Sequence, residues 1–348
     1  MGQRANLIVV EHKQYTLYYD HWAANSLDSY LFWGPEPVVT YIRGHEKSGE
    51  EWWLDTIWCE GGAVVDLDNK VLLFFGGEDF LYGIPLRQMY FQLLPYLWPG
   101  YKLRWACRGI ADLAAYVGYH TGRVTDQDIQ VPAPAVWERA FAGSWEEDLE
   151  GVLSICENNR LSLHPLYGFI DADKLLLAGP ELIQIASQYK SRTTFCYPDL
   201  STETYIEFAK LGIHLDVGRR EVFYWTAAPD TAPPSLLQTF WKDWNINYLR
   251  DDYHAHEILT QNKLSFTQPK EQLIQEQVRS IVCRPYGRDD AFAIDIFTKL
   301  TAAGNKVEIN PAIYATNLFD MPAKLREAIF DKVVRHWKKE REHDSPVE

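Results

Sequence analysis

Two aspartates in matching settings are the residues of this 348-residue chain best placed to do chemistry. Gly62 and Asp66 recur as Gly212 and Asp216, an offset of 150 residues. Two close carboxylates cannot both ionise easily, and a shared proton leaves one acid and one base. If two related halves pack about a pseudo-two-fold axis, Asp66 and Asp216 meet between them as a hydrolytic pair. His21, beside Asp20, is a third catalytic candidate on this alternative. Against it, neither acid has the Asp-Thr-Gly setting of aspartic proteases: Leu67-Asp68 follows Asp66, and Val217-Gly218 follows Asp216. An aspartate near a hairpin turn more often serves local backbone donors. Adjacency in a strand also points Asp20 and His21 to opposite faces.

Other chemistry-bearing patterns are weaker. His254-x-His256-Glu257 could hold a metal on a strand, but on a helix residues two apart diverge, so no metal site is expected. The string Gly76-Gly77-Glu78-Asp79-Phe80 resembles the Gly-Gly-Asp-Glu-Phe signature of diguanylate cyclases, whose acids bind metal and nucleotide phosphate. Here the fourth position is Asp79, Asp66 lies only ten residues before Gly76, and the second copy reads Ala227-Ala228-Pro229-Asp230. The string reads instead as a strand-exit turn. No H-E-x-x-H, G-x-S-x-G, P-loop or G-x-G-x-x-G pattern occurs, and no cofactor is expected.

Thirteen tryptophans remain. Trp98, Trp105, Trp225, Trp241 and Trp244 fall inside a repeated pattern and are expected in the core. Trp22, Trp33, Trp52, Trp53 and Trp58 lie outside the alternating strands, among acids. Large rigid rings in acidic loops suit a protein interface, which makes Trp33, Trp52, Trp53 and Trp58 candidate partner-binding residues.

The elements that must position these residues follow from periodicity. Residues 6–20 alternate around Glu11-His12-Lys13-Gln14 as a hairpin. Gly34-Pro35-Glu36 starts a helix. Residues 62–67 and 71–75 form a second hairpin, Pro85 starts an amphipathic helix that Pro95 ends, residues 101–105 form a strand, and residues 110–117 a short helix. The order then restarts: a hairpin at residues 153–163, Gly179-Pro180-Glu181, a hairpin from Gly212, and Trp241-x-x-Trp244-x-Ile246-x-Tyr248 echoing Trp98-x-x-Tyr101-x-Leu103-x-Trp105. The collinear matches predict an internally duplicated α+β chain with mainly antiparallel sheets and flanking helices. Residues 1–124 and 148–266 are the halves, 125–147 a connector around Pro132-Ala133-Pro134, and 267–348 a C-terminal helical extension. Helices are expected there from Asp289 to Leu300 and from Met321 to Glu342.

Composition bounds the function. A hydrophobic content of 47% supports packed cores and excludes wholesale disorder. A net charge of -14 argues against nucleic acid and anionic membranes as partners. The basic run at the end of the last helix complements a helix dipole. Five scattered cysteines read as reduced thiols, no apolar run reaches membrane-spanning length, and cytoplasm is the expected compartment. The function expected is a non-catalytic binding protein, immunity- or antitoxin-like by analogy, that engages a protein partner through an acidic, tryptophan-rich surface. A small molecule between the halves is a further expectation.

Overall fold

In this computed structural model the chain builds two mixed α+β sheets of the same strand order. Residues 3–45, 47–126, 129, 131–143, 149–168, 171–230, 232–284, 299–302 and 321–344 are described. The first half runs β1 (Ala5–Glu11), β2 (Gln14–Asp20), α1 (Leu27–Tyr30), α2 (Pro35–Arg43) and β3 (Lys47–Ser48). It continues through β4 (Gly61–Asp66), β5 (Val71–Phe75), α3 (Glu78–Tyr82), α4 (Ile84–Leu93), β6 (Lys102–Trp105) and α5 (Ile110–Tyr116). The second half contains α6 (Pro134–Ala142), β7 (Leu149–Glu157), β8 (Arg160–Tyr167), α7 (Ala172–Leu176), α8 (Glu181–Ser187) and β9 (Phe195–Tyr197). After these come β10 (Leu211–Asp216), β11 (Glu221–Thr226), α9 (Pro234–Phe240), β12 (Asn245–Tyr248), α10 (Tyr253–Leu259) and β13 (Leu264–Phe266). Two long helices follow, α11 (Glu271–Cys283) and α12 (Ala323–Asp344).

The first sheet is ordered β3-β2-β1-β4-β5-β6 and the second β12-β11-β10-β7-β8. Five strands of each correspond pair for pair. Each has two antiparallel hairpins, β1–β2 and β4–β5 against β7–β8 and β10–β11. Parallel pairings join the hairpins and add the last strand, β1–β4 and β5–β6 against β7–β10 and β11–β12. The hairpins are antiparallel as expected, but the sheets are mixed, because the chain enters β4 and β10 beside β1 and β7 and helix-bearing crossovers lay β6 and β12 parallel to β5 and β11.

Local chemistry explains why the elements recur. The first turn of each half puts two residues at positive φ, His12 and Lys13 (54° and 60°) and Asn158 and Asn159 (50° and 59°). That is the type I′ signature, whose twist matches the strands it joins. The glycines of the two Gly-Pro-Glu strings also do one job. Gly34 has φ +92°, and a Cβ there would lie 2.6 Å from the Leu97 carbonyl oxygen; Gly179 has φ +60°, and its Cβ would lie 2.9 Å from that of Phe240. The following residues, Trp98 and Trp241, donate their indole N–H to Leu31 and Leu176, at 2.9 and 2.7 Å. Backbone, glycine and indole thus lock together identically in both halves.

Both sheets are covered on both faces. Helices α1, α2 and α4 cover one face of the first sheet, and α5 with the Trp53 loop covers the other. In the second, α7, α8 and α9 oppose α10 and the β9–β13 ladder. The expected connector contains α6, whose Trp137 and Phe141 pack in the second core. Helices α11 and α12 return to the first half: Ile274, Val278, Phe330, Val334 and Trp337 fill its core. Helix α12 matches the expected Met321–Glu342 helix within two residues, whereas the Asp289–Leu300 helix falls outside the described residues except at 299–300. No helix among the described residues is long and apolar enough to cross a membrane.

Candidate functional site

The two halves meet where their strand-exit loops converge. Gly77-Glu78 after β5 and Ala228-Pro229-Asp230 after β11 line a cleft of about 420 Å³, with Arg108-Gly109 and the start of α7 completing it. Polar contacts fix the junction. The Asp230 amide and the Tyr248 hydroxyl both donate to the Cys107 carbonyl, at 2.9 and 3.1 Å. Arg87 is 1% exposed and reaches from α4 to Asp251 at 3.0 Å, while Nη1 donates to the Phe80 carbonyl and the guanidinium lies over the Trp105 ring. Ile84, at the start of α4, inserts into an apolar cluster of the second half.

The cleft is acidic. Glu60, Glu78, Asp171, Asp173 and Asp230 line it against one guanidinium, Arg108. Asp230 is the most buried of them, 5% exposed, with Oδ2 accepting from the Tyr224 hydroxyl at 2.7 Å and Oδ1 buried and meeting no hydrogen-bond donor among the described residues. Burial pushes its carboxyl up to about 6, Asp173 adds to the rise, and the Tyr224 hydrogen bond, Arg108 and the Ala232 amide only partly offset it. No three His, Cys, Asp or Glu side chains among the described residues are grouped to hold a metal ion.

An exposed aromatic edge adjoins this cleft. Trp22, Trp52 and Trp58 are 47%, 52% and 53% exposed. Trp52 leans on Tyr19, Trp22 on His21, and the Arg4 guanidinium lies 4.8 Å from the Trp58 ring. Chain continuity ties the edge to the cleft, because Ala24, Cys59 and Glu60 line the cleft. The other two candidate interface tryptophans are core. Trp33 is 5% exposed and packs edge-on against Phe32, because its short helical turn faces the first core. Trp53 is buried and stacks on Tyr119 with ring centres 4.8 Å apart.

The proposed catalytic acids are equivalent in the fold but are not brought together. Each sits at the turn end of its hairpin, opposite the end that faces the cleft, and serves that turn. Asp66 Oδ1 accepts from the Asn69 amide at 2.8 Å, and Oδ2 from the Asn69 side chain and the Tyr116 hydroxyl. Asp216 Oδ1 accepts from the Arg219 amide at 2.9 Å. The repeated acid therefore reflects a repeated turn. These turn hydrogen bonds hold the Asp66 carboxyl below the usual carboxylate range despite burial that pushes it up. His21 contacts the Tyr19 hydroxyl, and Asp20 pairs instead with His45 at 3.1 Å. His254 and His256 diverge on α10: His254 faces Glu257 in solvent, while His256 is 1% exposed.

His256 belongs to a buried network that residue spacing does not reveal. Trp225 donates to His256 Nδ1 at 3.2 Å, which leaves the proton on Nε2 to donate to Ser154 Oγ at 2.6 Å; Ser154 in turn donates to His214 Nδ1 at 2.7 Å. Gly212 makes room for it, since a Cβ there would lie 2.3 Å from the Trp225 indole nitrogen. Ser154 is wholly buried, so the serine has no route to a substrate. Burial lowers His256 to about 3 and His214 to about 4.

Comparison with known protein families, with curated proteins and with solved structures returned no match.

Proposed function

We propose that this protein is a non-catalytic binding protein whose partner is a basic polypeptide. The observation that carries the reading is the pairing of three exposed tryptophans with a cleft holding five carboxylates and one guanidinium. Such rings bury much area at small entropic cost, and a negative surface speeds encounter with a positive one. The acids first considered for hydrolysis are committed to turns, which favours binding over catalysis. An immunity- or antitoxin-like role and a cytoplasmic location agree with the charge and the free cysteines. The shared strand order and the paired Gly34/Trp98 and Gly179/Trp241 locks support descent of the halves from one duplicated unit.

The test is affinity capture from native lysate with the tagged protein and its Trp22→Ala/Trp52→Ala/Trp58→Ala variant. A stoichiometric basic protein, lost from the variant at unchanged melting temperature and released by raised salt, is the expected result. A partner held equally by the variant, or no partner, refutes the reading.

A further inference from the structure

One arginine ties the C-terminal helices to the cleft. Arg284, which caps the end of α11, reaches 256 residues back along the chain to Asp28 in α1. Its Nη2 donates to Asp28 Oδ1 and, at 2.9 Å, to the Asn25 carbonyl, while Nη1 lies 3.9 Å from Asp79 Oδ2 in α3. Beside this pair, the Ser29 hydroxyl donates to the Val282 carbonyl at 3.3 Å. Asp28 in turn abuts the lining of the cleft. Gly77 has φ +80°, and a Cβ there would lie 2.6 Å from Asp28 Oδ2. The Gly77 amide donates to the Ala24 carbonyl at 2.9 Å, and the Gly77 carbonyl accepts from the Phe80 and Leu81 amides at 3.0 and 2.9 Å. Ala24, Gly77, Glu78 and Leu81 all line the cleft. Asp28 therefore turns one carboxylate oxygen to the guanidinium and the other to this wall. The second half's share of the lining is held by its backbone instead: the Ala227 and Asp230 amides donate to the Lys210 and Cys107 carbonyls, at 2.7 and 2.9 Å.

The ion pair is built to release. Asp28 Oδ2 and Arg284 Nε are buried without a hydrogen-bond partner among the described residues, so the two groups share a single contact and not the two-pronged fork that makes arginine–carboxylate pairs tight. The Arg284 side chain is 32% exposed against 0% for Asp28, so the cation can swing into water and the carboxylate cannot. Buried ion pairs add little net stability, and their best-attested use is to fix one arrangement among several.

We propose that Arg284 is a latch through which the C-terminal helices set the shape of the cleft. Closed, it holds residues 77–81 against α1; released, it frees both that segment and the last turn of α11. Such coupling is reciprocal, so a ligand that displaces residues 77–81 also loosens the end of α11. The latch concerns the wall of the cleft and does not depend on what the cleft or the tryptophan edge binds.

The test is amide hydrogen exchange of the full chain, read by mass spectrometry at residues 77–81, at residues 280–283, and at strand residues 61–66 as the reference for global opening. Arg284→Met keeps the aliphatic stem and removes the cation. It should speed exchange about tenfold or more at 77–81, the loss expected of a charged hydrogen bond, and leave 61–66 unchanged. Asp28→Asn keeps the side-chain shape and should speed both 77–81 and 280–283 several-fold, which decides the matter if Arg284→Met fails to fold. Arg279→Met, a turn earlier on α11 where Arg279 pairs with Asp331 at 3.4 Å, should leave 77–81 as in the parent. Unchanged exchange at 77–81 in either folded latch variant overturns the inference. Equal acceleration at 61–66, or the same acceleration in Arg279→Met, also overturns it, by assigning the effect to general loosening of the first half.

Discussion

Asp230 and His256 respond to pH in opposite senses, and both responses follow from burial. The folded Asp230 carboxyl titrates at about 6, above its ordinary value, so its contribution is fully present at low pH and is lost as pH rises through 6. Asp28, wholly buried and raised by burial to about 7 despite its Arg284 partner, acts in the same direction. His256, His214 and His164 are lowered by burial to about 3, 4 and 4, so the unfolded chain binds protons first and stability falls as pH drops below 6.5. Asp230→Asn should therefore stabilise the protein at pH 8, by about 1–3 kcal/mol, and give no gain at pH 4. Its urea midpoint should still decline between pH 6.5 and 4.5, where these histidines charge in the unfolded chain only. Equal midpoints for variant and parent at pH 8 would place Asp230 outside a desolvated site. At this scale the sequence is a partial guide. Asp66 and Asp216 are recognisable as equivalents, but whether a carboxylate meets its twin or its own turn depends on which end of the hairpin faces the junction. The exit loops, Gly76–Asp79 and Ala227–Asp230, align in the sequence as well; that they face each other across a cleft is decided by packing.

Hairpins and proline-started helices are legible because their signals are local: alternation, a turn pair, a proline at the first helical turn. Parallel pairing is not, since a strand's pattern fixes its faces and leaves its neighbours open. Helix α6 also starts at a proline, Pro134, but Pro132 two residues earlier makes the run read as a connector, although Trp137 and Phe141 anchor the helix. The glycine locks give the most direct test of the elements. Gly34→Ala and Gly179→Ala each combine positive φ with a clash against a carbonyl, and each should cost about 1–3 kcal/mol in a urea titration. A tolerated substitution at either would mean that the loop has another conformation. Arg87 is the corresponding test of the junction. Arg87→Ala strands Asp251 and the Phe80 carbonyl, and about 3 kcal/mol should be lost; Arg87→Met keeps the volume and should lose less. Equal losses would assign the role to the polar contacts alone.

For the molecule as a whole, charge and shape act together. A net charge of -14 makes association with a basic partner salt-sensitive, so raising salt from about 50 to 500 mM should slow complex formation more than it speeds dissociation, measurable by stopped-flow fluorescence of Trp52 and Trp58. A salt-independent on-rate would remove the electrostatic part of the proposal. The returning helices bear on how the protein comes into being. Ser29 donates to the Val282 carbonyl, and Phe330 and Trp337 sit in a core built mainly from the first hundred residues. A ribosome extends the chain at about 5–20 residues per second, so that apolar face waits on the order of 10–50 s before its cover is made. During that interval the nascent first half is a natural client for a holding chaperone, and the newborn chain is at its most vulnerable just after it looks half finished.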